Sequence, residues 1–120
     1  MDAFEYPTSI ALRAVALGLP EVTEGTSCVN RAFKVRKKNV LFLGEKDGAI
    51  RVMVKLVDSF EDATAMDDPR VSAGTAGWVT LRFSPDDPLD EELLAAWTRE
   101  SFRALAPKTV VKALDETGQG

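Results

Sequence analysis

Five cations and one indole are the side chains best placed by type and spacing to act on another molecule: Lys34, Arg36, Arg51, Lys55 and Arg82, with Trp78. Basic residues at alternate positions of extended segments line one surface with positive charge, which suits a phosphate backbone. An indole among them offers a plate on which a base stacks, worth roughly 1–3 kcal/mol per base. The same surface would serve an acidic protein partner. Solvated faces of antiparallel sheets also carry Lys, Arg and Thr with no ligand at all.

Much other chemistry is excluded. The chain has 120 residues, no histidine and one cysteine, so zinc sites of the cysteine–histidine kind, Ser-His-Asp triads and Cys-His dyads cannot be built. Cys28 has only Arg31 near it in sequence to lower its pKa, and it reads as a small apolar-like side chain rather than a nucleophile. None of the eight glycines stands in a phosphate-loop setting. Two acidic clusters, Asp58 to Asp68 and Asp86 to Glu92, offer oxygen atoms to a hard cation, but they read better as helix caps and first-turn charges. The expectation is a non-enzymatic chain with no catalytic residue, no cofactor and no metal.

Charge is segregated along the sequence. The whole chain carries a net charge of -4, yet between Arg31 and Leu56 eight basic residues face only Glu45 and Asp47, a local balance of +6. The remainder therefore sums to -10, and the overall acidity is a poor guide to any one face. Composition, with 45% hydrophobic and 28% charged residues, is that of one ordinary globular domain spanning 1–120. Apolar runs such as Val40 to Leu43 are far too short to cross a bilayer, and Met1 to Ile10 lacks the basic start and apolar stretch of a secretion signal. A cytoplasmic protein with no membrane association is expected.

The elements that must hold those cations follow from periodicity. Ile10, Ala14 and Leu17 recur at helical spacing behind Pro7 until Gly18 and Pro20, which predicts a helix over 7–17. "PEVTEGTS" reads as a polar connector. Beyond it the period becomes two. Phe33 and Val35 face one way and Lys34 and Arg36 the other, and "KDG" marks a hairpin. Ile50, Val52, Val54 and Leu56 then alternate with Arg51, Met53 and Lys55. After a short helix following Asp58 or Ser59 and a glycine-rich connector, "SAGTAG", the segment "WVTLRF" alternates again, with Trp78, Thr80 and Arg82 on the polar side. The longest helix starts at Asp87 or Asp90 and carries Leu94, Trp97 and Leu105. Pro107 interrupts it and opens a last short helix with Val110, Val111 and Leu114. Lys108 and Lys112, four apart on that helix, would extend a phosphate-binding surface or complement the helix dipole. The order of elements predicts an α+β fold, an antiparallel or mixed sheet with helices on one face.

Taken in order, "LGLPEVTEGTS", "AFKV" followed by "VLFL", "VKL", a "GW" opening a strand and "SFRALAPKTVVKAL" resemble the MmcQ/YjbR family of small bacterial proteins over about residues 7–115. The resemblance implies a frataxin (CyaY)-like fold, with two helices on one side of an antiparallel sheet whose other side is open, and it brings with it the label of DNA-binding protein. Many relatives carry a proline shortly before the "AFKV"-like strand and a histidine near the "GW". This chain has "CVNR" and "AGW" there, so no role passes to a histidine. The expected function is a binding module that takes nucleic acid on its open sheet face. Lys34, Arg36, Arg51, Lys55 and Arg82 would sit on phosphates, and Trp78 would stack. The alternatives are an acidic protein docked on the same face, or a small molecule held between helices and sheet edge. A monomer or weak dimer is expected.

Overall fold

The computed structural model describes residues 4–27 and 30–116. Six antiparallel strands form one sheet: β1 (Val22–Ser27), β2 (Asn30–Val35), β3 (Lys38–Lys46), β4 (Ala49–Lys55), β5 (Val71–Ala73) and β6 (Trp78–Phe83), in the spatial order β1-β2-β3-β4-β6-β5. Four helices accompany it: α1 (Pro7–Leu17), α2 (Phe60–Ala65), α3 (Glu91–Leu105) and α4 (Lys108–Glu116). The fold is α+β, with α1 and α3 packed against each other and onto one face of the sheet.

Alternation sets which face is which. Phe33 and Val35 of β2, Leu41 and Leu43 of β3, Ile50, Val52 and Val54 of β4, and Val79, Leu81 and Phe83 of β6 are all buried. They meet Leu12 and Ala16 of α1 and Leu94, Trp97 and Phe102 of α3 in a single core. Their neighbours in sequence project from the opposite face, which no helix of the described residues covers. The β3–β4 turn has Asp47 and Gly48 both at positive φ (53° and 75°). That backbone matches the right-handed twist of the flanking strands and explains why "KDG" reads as a hairpin.

Long-range polar contacts fix the helices to the sheet. Pro7 opens α1, but Tyr6 gives no side-chain cap; instead the Glu45 carboxylate on β3 accepts the backbone N–H groups of Glu5 and Tyr6 at 2.8 and 3.0 Å. On the edge strand, the buried Glu24 carboxylate receives Arg13 of α1 and Arg31 of β2 at 2.8 and 2.7 Å. α3 starts at Asp90, whose side chain accepts the Glu92 N–H at 2.9 Å. It reaches into the sheet through Ser101, whose hydroxyl donates to the Val40 carbonyl at 2.5 Å and accepts the Lys55 N–H at 2.9 Å. A helix side chain thus replaces the ladder bond where β3 and β4 part.

Three readings of the sequence are corrected. "VTEGTS" is the edge strand β1, not a connector, and the glycine-rich segment carries the end of the short strand β5 and a 3-10 turn, Thr75–Gly77. Arg36 is not on the open face with Lys34. β2 ends at Val35, and Arg36 sits in the two-residue β2–β3 turn at φ 59°, with its guanidinium paired to Glu21 at 2.7 and 3.2 Å. Cys28 lies outside the described residues. No helix among them is long and apolar enough to cross a membrane.

Candidate functional site

The open face is built rung by rung. At its hairpin end Asn30 lies beside Gly44, Gly44 stands opposite Arg51, and Arg51 stands opposite Arg82. One rung along, Ala32, Phe42, Met53 and Thr80 cross the sheet in line. At the far end Lys55 is opposite Trp78, and Lys34 occupies the matching side of β2. A register shift between Phe33 and Lys34, where Leu41 and Asn39 are the successive partners, leaves Val40 as an extra residue and bends β3 there.

Trp78 is placed by the glycine before it. Gly77 has φ 85°, and a Cβ there would sit 2.6 Å from the Leu56 carbonyl, so no other residue fits without moving β4. The Gly77 carbonyl accepts the Leu56 N–H at 2.8 Å, which ties the indole's strand to the end of β4. The link after β4 is fastened in turn by Glu100 of α3, whose carboxylate accepts Val57 N–H, Ser59 N–H and the Ser59 hydroxyl at 2.8, 3.0 and 2.7 Å. Burial pushes Glu100 up, but those hydrogen bonds outweigh it and hold the carboxyl below its ordinary value.

Sequence reasoning missed Phe42. It is half-buried on the open face and its ring lies 5.9 Å from that of Trp78, tilted by 54°. The run Val40–Leu43 is apolar on both parities, which hides the alternation. The signal was the pairing of "VLFL" with "VMV", which puts Phe42 opposite Met53. The two rings and Met53 make an apolar patch between the cation pair Arg51/Arg82 at one end and Lys34 and Lys55 at the other.

Five arginines of the described residues are ion-paired, while Lys37, Lys38, Lys46, Arg99, Lys108 and Lys112 are not. Arg13, Arg31, Arg36, Arg70 and Arg103 each hold a carboxylate at 2.6 to 2.8 Å. Among the described residues, Lys34, Arg51, Lys55 and Arg82 take part in no ion pair, and no strand position of the open face carries an acid. Arg51 and Arg82 are moreover a close pair. The Arg82 N–H donates to the Arg70 carbonyl at 2.9 Å, on the side away from β4. The Arg51–Arg82 rung is therefore non-hydrogen-bonded, the kind that brings Cβ atoms closest, and like charges placed so repel.

The acidic clusters serve the backbone. Asp90 caps α3 with Glu91 and Glu92 in its first turn, and Glu61 and Asp62 open α2. Asp68 holds Arg70, whose guanidinium and N–H keep the carboxyl down at about 2. No group of three or more metal-binding side chains converges among the described residues. A groove of about 550 Å³ runs between the β2–β3 turn and the α3–α4 link. Val35, Leu105 and Pro107 line it with apolar surface, and Lys37, Lys38 and Lys108 add charge. Lys108 is thus beside this groove.

No curated protein matches the chain. The family model described as YjbR matches residues 17–104, from the end of α1 through all six strands and nearly all of α3, and the chain belongs to the YjbR family.

Proposed function

We propose that this chain is a non-enzymatic binding module that takes single-stranded nucleic acid, DNA in the first instance, across its open sheet face. Lys34, Arg51, Lys55 and Arg82 meet phosphates, and Trp78 with Phe42 stacks bases. The observation that carries the reading is the make-up of one face: four cations without an ion pair stand there around the Phe42–Trp78 ring pair, and no strand position of that face carries an acid. A frataxin-like description of the fold, supported by α1 and α3 packed together on one face, belongs to this reading. An acidic protein docked on the same face is the nearest alternative.

Binding of a labelled oligothymidylate followed by anisotropy tests it. Four neutralised phosphates on a single strand give a slope of log affinity against log salt near -2.8, about fiftyfold between 50 and 200 mM. Trp78→Ala removes a stack and weakens binding about tenfold. A flat salt response, or no binding at low salt, sinks the reading. The groove favours a second one, a small amphipathic anion seated on Leu105 and Pro107 with its charge on Lys37, Lys38 and Lys108. If Lys38→Glu abolishes binding while Trp78→Ala and Arg51→Gln leave it intact, the groove is the site.

A further inference from the structure

We propose that the depression at the hairpin end of the open face, bounded by Asn30, Gly44, Lys46, Arg51 and Arg82, is a seat for a terminal phosphate, so that the face holds a nucleic-acid strand by its phosphorylated end. This rests on the reading of the face as a nucleic-acid surface and adds to it a fixed anchor point.

Three features of the depression argue for a phosphate monoester. The first is space. The depression has a volume of about 140 Å³, well beyond the roughly 10–15 Å³ that a single water needs, so a group of several heavy atoms fits. Gly44 forms the floor: with no Cβ it lets the Asn30 side chain lie over the strand, where a Cβ would collide with it. A glycine in a strand interior costs stability and marks a close approach of another group.

The second feature is charge. Arg51 and Arg82 face each other across a close rung without a carboxylate, and Lys46 joins them on the rim. A phosphodiester carries one negative charge and a terminal phosphate close to two, since its second pKa is about 6. Three cations around one small space favour the dianion, and arginine's fork matches phosphate oxygens two at a time. Bound phosphate would also relieve the repulsion of the facing guanidiniums. The third feature is Asn30, whose amide offers a neutral donor for a remaining oxygen.

The test uses the whole chain and labelled twelve-residue oligothymidylates ending in a phosphate or a hydroxyl, with inorganic phosphate as a separate probe. The phosphorylated end is expected to bind about tenfold tighter at pH 7.5. That preference should shrink toward unity at pH 5, where the terminal phosphate loses its second charge; the chain has no histidine to titrate in that interval. Gly44→Ala fills the floor and displaces Asn30 while keeping every cation, and should cut the preference below twofold. Arg82→Gln, at an exposed strand position, gives the same answer should Gly44→Ala fold poorly. Equal binding of both oligonucleotides overturns the anchor and leaves the nucleic-acid reading standing. If neither oligonucleotide binds, yet inorganic phosphate raises the Tm and Gly44→Ala abolishes that rise, the strand fails as occupant and the phosphate seat stands. If phosphate also has no effect, both fall.

Discussion

Replacing Arg82 by glutamine should make the free protein slightly more stable and a worse binder. Arg82 faces Arg51 on a non-hydrogen-bonded rung of β4 and β6, and among the described residues neither has an ion-pair partner. With flexible guanidiniums about 7 Å apart, a spacing in keeping with cross-strand neighbours, the repulsion in water is about 0.6 kcal/mol before screening. A Debye length of about 30 Å at 10 mM salt leaves about 0.5 kcal/mol of it, and one of about 8 Å at 150 mM leaves about 0.2 kcal/mol. For a chain of this size the low-salt gain corresponds to about 2 °C in Tm. Losing one phosphate contact works the other way. It makes the salt slope shallower by about 0.7 and lowers oligonucleotide affinity about fivefold at 100 mM. Thermal melts at 10 and 150 mM, paired with anisotropy titrations of the same samples, measure both signs. A variant that loses more than about 0.5 kcal/mol of stability and binds as before would show Arg82 to be an ordinary solvated strand residue, and the reasoning about unpaired cations would be wrong.

Ser101→Ala should cost about 2–4 kcal/mol in a urea melt, because it strands the Val40 carbonyl and the Lys55 N–H inside the core, each at about 1–2 kcal/mol; a loss under 1 kcal/mol would mean β3 and β4 close up and pair directly. Stability should also fall in acid with a predictable window. Asp68 is held at about 2 against its ordinary 3.8 by Arg70, and Glu100 is held low despite its burial. A carboxyl depressed in the folded state stabilises above its ordinary value and loses that contribution as pH falls toward the folded one. Tm should therefore decline from about pH 4.5 to 2, and Asp68→Asn should flatten part of that decline; an unchanged acid limb in that variant counts against the Arg70 pairing.

The elements legible in the sequence are those whose pattern is set by burial on one side. β4 and β6 alternate cleanly, α3 carries its stripe and its acidic start, and α1 has Pro7 and Gly18 at its ends. β1 was hidden because its inward position holds Glu24, a charged residue where a strand pattern expects an apolar one. Only the two guanidiniums of Arg13 and Arg31, one of them from a helix, make that carboxylate tolerable there. β5 is three residues long and is defined by its partner β6, not by its own composition. Arg36 was misplaced because alternation was carried one residue too far. Where β2 ends is decided by its register with β3, and Arg36-Lys37 contains no ordinary turn former to announce the change.

The remaining question is whether an unpaired basic face needs a ligand to explain it. Solubility alone is served by cations scattered among acids, and part of the remaining surface shows that pattern, with carboxylates bonded to Arg13, Arg31, Arg36, Arg70 and Arg103. On the open face the same sequence puts two arginines on one close rung, sets a glycine beside them, and brings together two half-buried aromatic rings, one of them opposite Lys55. The facing arginines and the glycine each cost a little stability, and none of these residues belongs to the core, which lies on the other side of the sheet. Because folding and the proposed binding use opposite faces, substitutions at Arg51, Lys55, Trp78 and Arg82 can remove binding without unfolding the chain, and an effect on affinity there can be read as an effect on the site.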